Sequence, residues 1–373
     1  VEERKDGFRV WLEDLAGFPK RACDWDYDDR SWRVEVRPLA AWTGPAGGTS
    51  WRTGPLVLRP DAPGGLVSSG GRRYRGALWL HAGAGGGITV VDRLPAEEYL
   101  RGVLPLELQG EGPADQAALE AQAVAARSYV YSRLAEFLPR AAAVARAQAP
   151  FDLRATVSDQ VYGGAAVERP AADRAILATE GLVLRYEGAV ASAPYHSACG
   201  GSTAAPDEVW GAERAPYLRR VSDRVPGTDR AYCDLAPRFT WTRAWEGAEL
   251  EATLARYLRQ YAARDGAGSG PAASAGPVGA VRGVDLLGHT ASGRNAAVAV
   301  RTDAGRFVLR GNGIRFALRT RGGDILPSTY FSAAAEGDGA GRVTRLVLRG
   351  GGNGHGVGMC QWGAVGRSRA GQD

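Results

Sequence analysis

Lysine is nearly missing from this chain of 373 residues: among 46 basic side chains only Lys5 and Lys20 are lysines, and the rest are arginine. That bias has the look of a GC-rich genome rather than of a nucleic-acid surface. The positive excess is 5 over the whole length, and no basic block with interleaved aromatics occurs, so no nucleic-acid partner is expected. Long apolar runs are also absent. None approaches the roughly 20 residues that span a bilayer, and Val1 to Arg9 is charged where a signal core would be apolar. Cysteine is scarce. Cys23, Cys199, Cys233 and Cys360 are too few for a disulfide-built scaffold and lack the Cys-x-x-Cys pairs of a structural zinc site. What remains, 45% hydrophobic and 23% charged residues, is the balance of a globular chain long enough for two domains or one large one.

The first stretch alternates apolar and polar residues in short runs, Phe8 to Leu12 and Trp32 to Val36, between Gly/Pro-rich turns, which predicts small antiparallel β-structure up to residue 87. Ile88 to Val91 reads as a further strand. Leu94 to Leu100 starts a short helix with Pro95 in its first turn and Glu97 and Glu98 at its positive end. The strongest signal is a helix from Pro113 to Leu138. There Leu119, Ala123, Ala126, Val130, Leu134 and Phe137 recur at spacings of three and four, and a neighbouring face of Ala117, Ala121, Val124 and Ser128 admits a close backbone. Ala171 to Glu180 is predicted helical, Leu182 to Tyr195 a hairpin turning at Glu187-Gly188 and running on into the Tyr195-His196 segment, and Glu249 to Arg264 a helix. Residues 266–279 read as a flexible Gly/Ala/Ser loop, and three strands follow near 281–287, 296–302 and 306–310. The expected fold is α+β: mixed, largely antiparallel β-structure packed on a long Ala-rich helix, with an N-terminal β-rich region over 1–87 and a second domain over 88–373.

Three segments concentrate chemistry. Glu107 lies among Val103, Leu104, Leu106 and Leu108, just ahead of the long helix. A carboxylate there is either exposed on a turn or partly desolvated, and desolvation would raise its pKa into the range of a proton donor. The second segment runs from His196 to Trp210. A Cys199–Cys233 disulfide is the expectation for an exported protein, ahead of a metal site on His196, Cys199 and Cys233 or a cysteine nucleophile. The Gly200-Gly201-Ser202-Thr203 step offers backbone and hydroxyls suited to a sugar. The third segment, Gly350 to Ala364, alternates glycine with His355, Val357 and Met359. Such a backbone either turns tightly or brings something close to its amides. A phosphate loop is excluded because no Gly-Lys-Ser/Thr follows.

Taken in order, these motifs resemble the stage II sporulation protein D family, which includes the amidase-enhancer proteins called LytB. The resemblance begins near Tyr74-Arg75-Gly76, rests on Leu94 to Glu107, Ala118 to Tyr129, Ser197 to Thr203, Trp210-Gly211, Pro216 to Leu218, Ser292 to Arg294 and the Gly-His-Gly-Val-Gly-Met run, and takes in roughly three quarters of the chain. It implies an extracytoplasmic lytic transglycosylase acting on peptidoglycan glycan strands stripped of peptide, with Glu107 as catalytic acid and base. It also implies the alternative of a non-catalytic glycan-binding enhancer of a cell-wall amidase. Gln122, Arg127, His196, Ser197, Thr203, His355 and Gln361 are the candidates to line or brace the sugar groove. No cofactor and no metal are expected. Some members carry a zinc site of Cys and His between the long helix and the Gln-Val-Tyr step, whereas Phe151 to Tyr162 here contains neither residue. A hydrolase would instead pair Glu107 with a second carboxylate, for which Glu97, Glu98, Glu111, Asp115, Asp207 and Glu208 are candidates. Family members usually read Glu-Met-Pro where this chain has Glu107-Leu108-Gln109, a change beside the catalyst.

Overall fold

A computed structural model of the protein describes residues 8–14, 32–38, 56–60, 62, 64–82, 88–110, 112–137, 150–212, 215–264 and 277–372. Cys23 and positions 266–276 of the expected flexible loop lie outside the described residues. The chain divides into two units, Val1–Ser192 and Ala193–Asp373.

In the first unit, β1 (Phe8–Asp14) and β2 (Trp32–Pro38) pair antiparallel. An antiparallel sheet follows in the order β3 (Leu56–Leu58), β6 (Ala77–Ala82), β7 (Ile88–Arg93), with a hairpin of β4 (Val67–Ser69) and β5 (Arg72–Tyr74) inserted. Leu78 and Leu80, two apart and therefore on one face, bury themselves with Leu58 and Val67. β7 pairs with β6 along six residues, so the two sides of position 87 share one sheet.

Next come α1 (Ala96–Arg101), α2 (Leu104–Glu107) and, after a 3-10 turn at Pro113–Asp115, α3 (Gln116–Phe137). Leu119, Ala123, Ala126 and Val130 of α3 are buried, as their spacing predicts. The small-residue face does receive a backbone: the Leu184 N–H donates to Ser128 Oγ at 2.8 Å. Helix α4 (Pro170–Ala178) packs on α3 and α1 and buries Ala171, Ala172, Ala175 and Ile176. A hairpin, β8 (Arg185–Tyr186) and β9 (Ala189–Val190), turns at Glu187 and Gly188, both at positive φ (48° and 85°).

The second unit contains β10 (Tyr195–His196), α5 (Pro206–Trp210), β11 (Thr240–Glu246), α6 (Gly247–Tyr261), β12 (Ala262–Arg264), β13 (Val281–Leu286), β14 (Ala297–Thr302) and β15 (Gly305–Arg310). These are followed by α7 (Gly313–Ala317), β16 (Phe331–Gly337), β17 (Val343–Gly351), β18 (Met359–Cys360) and α8 (Gln361–Arg369). Two antiparallel sheets, β12-β15-β14-β13 and β11-β17-β16, enclose a core in which Leu250, Leu254 and Leu258 of α6 meet Trp245, Val298, Val300 and Leu346. The fold is α+β and largely antiparallel; β10 and β18 pair in parallel. Two details differ from the sequence reading. Helix α6 stops at Tyr261 because Ala262 to Arg264 pair as a strand with Phe307 to Leu309. Tyr195-His196, read as continuing the hairpin, pairs instead with Met359-Cys360.

Candidate functional site

Helix α2 is one turn long, with Pro105 near its start, and it ends where Leu108 becomes extended (φ −136°, ψ 113°). Val103, Leu104 and Leu108 are buried while Leu106 is exposed, so Glu107 emerges half-buried from an apolar bed. The departure at Leu108-Gln109 falls on one buried apolar position and one exposed position. One carboxylate oxygen, Oε1, accepts a 3.0 Å hydrogen bond from the Val161 backbone N–H.

Val161 belongs to a five-residue stretch that ties α1, α2, α3 and β7 together. Asp159 accepts from the Tyr129 hydroxyl of α3 at 2.9 Å and from the Arg154 N–H at 3.0 Å. Gln160 accepts from the Tyr99 hydroxyl of α1 at 3.2 Å and donates to the Ala126 carbonyl of α3, also at 3.2 Å. The Tyr162 hydroxyl donates to Asp92 Oδ2 of β7 at 2.7 Å, and the Gly163 N–H donates to the Gly102 carbonyl at 3.0 Å. Tyr99 and Tyr162 stack with centroids 5.1 Å apart. Burial first, then the charges of Asp159 and Glu107, hold the Tyr99 phenol well above its ordinary value, so it stays a neutral donor beside the carboxylates. Burial likewise raises Asp92, against the opposing bond from Tyr162.

The Tyr162 ring sits directly over Gly102, where an added Cβ would come 2.3 Å from Cε2. Gly102→Ala is therefore expected to cost about 1–3 kcal/mol and to displace the Val161 N–H from Glu107. A thermal melt together with a glycan-cleavage rate checks both effects.

Of the catalytic and groove candidates read from the sequence, Glu107, Gln122 and Arg127 belong to the first unit and His196, Ser197, Thr203, His355 and Gln361 to the second. Gln122 is fully buried, and neither of its amide atoms has a hydrogen-bond partner among the described residues. Arg127 is fully buried and holds Glu97 bidentately at 2.7 Å through both contacts, with further bonds to the Leu182 and Ile176 carbonyls. Its geometry is that of a brace. Tyr99, Asp159 and Gln160 carry no local sequence signal that marks them as part of the site. The Asp-Gln-Val-Tyr run was visible, but its action on Glu107 passes through a backbone N–H that any residue at 161 would supply.

In the second unit, the alternating glycines admit other parts of the chain itself. Gly356 (φ 90°) lies against the Arg294 guanidinium and Gly358 (φ 74°) against the Pro194 carbonyl, where a Cβ would collide at 2.3 and 2.0 Å. His196 is buried, with Nδ1 3.1 Å from the Val357 carbonyl oxygen, and its ring lies 5.5 Å from that of His355. His355 accepts the Val357 N–H at Nδ1 (3.1 Å) and packs 5.1 Å from Trp210, which is 45% exposed. Thr203 is spent on the Val221 backbone, the Ser197 carbonyl accepts from the Trp362 N–H, and Gln361 is buried at the start of α8. Trp210 borders a cleft of about 510 Å³ also lined by Asp207, Glu208, Arg310 and Asn312. Burial works against charge on Glu208, yet bonds from Ser292, Thr290 and the Ser292 and Ala205 N–H groups hold its pKa below the ordinary value. The cleft thus pairs a fixed anion with an indole face.

Burial, then the Arg315 and Arg294 charges, push His355 down to about 4, while His196 is held well below 6.5 by burial and by His355. His355 is therefore neutral when folded and protonates first in the unfolded chain. Its contribution to stability is fully present above pH 6.5 and is lost as pH falls toward 4. We expect a loss of at most about 3 kcal/mol across that window, reduced in His355→Gln and read from melts between about pH 4 and 7.

The Cys199 and Cys233 sulfurs stand 3.5 Å apart and unbonded, and Cys360 and Asp223 converge on the same point. Burial raises Asp223 to about 7.

Residues 84–186 match the family model described as Stage II sporulation protein, a stretch that contains Glu107, α3 and the 159–163 segment. Residues 230–358 match a Domain of unknown function (DUF8618). An uncharacterised protein of Brachyspira hyodysenteriae is 29% identical over 284 residues, which are 76% of this chain and 64% of that protein. A Bacillus subtilis protein named amidase enhancer is 27% identical over 297 residues, 73% of this chain and 38% of its own length. The chain therefore spans less than two thirds of the length of the curated relatives it matches.

Proposed function

We propose, from the match of residues 84–186 to the family model described as Stage II sporulation protein, that the chain acts outside the cytoplasm on the bacterial cell wall. Its reaction in this reading is lytic transglycosylation of peptide-stripped glycan strands. The observation that carries the reading is Glu107, a carboxylate half-buried in apolar surroundings whose orientation is set by the Val161 N–H.

The chemistry needs one such group. Protonated Glu107 gives its proton to the oxygen bridging N-acetylmuramic acid and N-acetylglucosamine, and the bond from the muramic C1 to that oxygen breaks. The C1 centre takes on oxocarbenium character. The sugar's own 6-hydroxyl attacks it, the ionised Glu107 removes the hydroxyl proton, and a 1,6-anhydro end forms without consumption of water. A neutral Tyr99 beside the carboxylates is consistent with a site that must cycle one proton. Asp159 also acts on Tyr99, but Tyr129 and the Arg154 N–H bind one oxygen each, which favours a supporting role over that of a nucleophile.

A second reading is supported by the relative named amidase enhancer and by the Trp210 cleft, whose exposed indole suits the apolar face of a sugar ring. Here the chain grips glycan and stimulates an amidase without cutting. The deciding experiment incubates the protein with peptide-free glycan strands and reads the products by mass spectrometry. Anhydro ends support the transglycosylase, and reducing ends point to a hydrolase. Intact strands, together with faster release of peptide by an added amidase, support the enhancer and refute the first reading.

A further inference from the structure

The second unit holds a cluster that the glycan chemistry does not use. Three thiols and a carboxylate from separate segments meet there: Cys199 after β10, Asp223 in a loop, Cys233 in the 3-10 turn Tyr232–Leu235, and Cys360 at the start of α8. Their exposures are 1%, 4%, 0% and 8%, so all four are closed off from solvent. One potential ligand atom from each lies within 4.8 Å of the other three.

We propose that Cys199, Asp223, Cys233 and Cys360 form a closed four-coordinate site for a single thiophilic, tetrahedral cation, zinc. The spacings fit such an ion. Bonds of about 2.3 Å to sulfur and 2.0 Å to oxygen place tetrahedral sulfurs about 3.8 Å apart and a sulfur and an oxygen about 3.5 Å apart. Here Cys199 Sγ lies 3.5 Å from Cys233 Sγ and 3.5 Å from Asp223 Oδ2. A disulfide would need about 2.05 Å, and bonding any two of the sulfurs would strand a third thiol and a carboxylate in the same pocket.

Backbone N–H groups converge on two of the sulfurs. Cys360 Sγ accepts from the N–H groups of Cys199 (3.2 Å) and Gly363 (3.3 Å), and the Gly200 N–H donates to the Cys233 sulfur. Gly200 reaches that position at φ 77°, a conformation glycine adopts without strain. Asp223 Oδ2 is oriented by the Cys233 N–H at 3.0 Å. Such outer bonds fix ligand direction around a metal. Four anionic ligands around a divalent ion leave about two negative charges in excess, and two guanidinium groups stand beside them. Arg367 lies 3.5 Å from Asp223 Oδ1, and the buried Arg294 donates to the Cys199 carbonyl at 2.9 Å. With four protein ligands and no open position the site is structural, not catalytic. It would clamp α8 and the β10–β18 pair, on which His196 is carried.

The test uses the full chain purified without chelator or reductant. We expect about one equivalent of zinc, or of iron in the same sulfur-ligated environment, by elemental analysis. The thiols of Cys199, Cys233 and Cys360 should resist alkylation until the chain is denatured with chelator. Cobalt loading of the apoprotein should give the near-ultraviolet charge-transfer band of thiolate ligation. Cys360→Ser and Asp223→Asn should lose most of the metal, whereas Asp223→His, which supplies another ligand, should retain it. A metal-free native chain with a Cys199–Cys233 cross-linked peptide would overturn the proposal without recourse to variants. So would undiminished metal in folded Cys360→Ser.

Discussion

Glu107→Gln is expected to lower the rate of anhydro-end formation on peptide-free glycan by about 10²- to 10⁴-fold, the range lost with a single general acid–base group. The substitution is nearly isosteric. Its amide oxygen can still accept the Val161 N–H that now binds Oε1, so the loop and the fold should persist. The thermal midpoint should therefore stay close to that of the parent chain while the rate collapses, which separates lost chemistry from lost structure. Glu107→Asp provides a second check, since it keeps the acid but retracts it by one methylene. It should retain some activity if distance is the only fault. Equal cleavage by the parent and Glu107→Gln would remove Glu107 from the mechanism.

Arg127→Ala is expected to be the most damaging single change to stability, at about 3–5 kcal/mol, because it breaks a buried pair from its buried side. The guanidinium is entirely enclosed, and its removal leaves Glu97 and the Ile176 and Leu182 carbonyls without their present partner. Arg127→Lys should recover only part of the loss. An ammonium is a point donor and cannot span both Glu97 oxygens while also reaching the carbonyls. Glu97→Gln should cost less, since Glu97 is 29% exposed and its side is reachable by water. Urea unfolding of the three variants checks this order, and a loss below about 1 kcal/mol for Arg127→Ala would refute the bracing role.

Arg127 also marks the boundary of what could be read in sequence. Its position on the long helix was legible because Leu119, Ala123, Ala126 and Val130 repeat at helical spacing and are buried as a face. That an arginine on this helix would be wholly enclosed was not, because periodicity treats charge as a mark of the exposed side. The strands near 281–310 and the Glu187-Gly188 turn were likewise local, written in alternation and in turn residues. Glu107 had no local signature that separated it from a surface acid, and only the ordered company of distant motifs picked it out. What escaped were effects carried by backbone groups or by long range. The N–H of Val161 is invisible to side-chain reading, and Cys360 joins Cys199 and Cys233 only once β10 and β18 have paired. The glycine alternation was seen, but the object it admits proved to be Arg294 and the chain's own carbonyls.

The parallel pair between Tyr195-His196 and Met359-Cys360 has a consequence for how the second unit comes into being. Its two strands are 164 positions apart in the chain, the interval between Tyr195 and Met359. Closing a loop of that length costs roughly 4–5 kcal/mol in chain entropy before any contact repays it. A chain emerging from a ribosome or a translocation pore presents β10 long before its partner, so β10 must wait, unpaired, until nearly the whole unit has appeared. The sheet β12-β15-β14-β13 can form meanwhile, whereas β17, which completes β11-β17-β16, appears only just ahead of β18, so the β10–β18 seam closes late. Joining the two ends of this unit and opening it elsewhere, in a circular permutant, would turn that slow closure into a local one and should speed its refolding without altering the native seam.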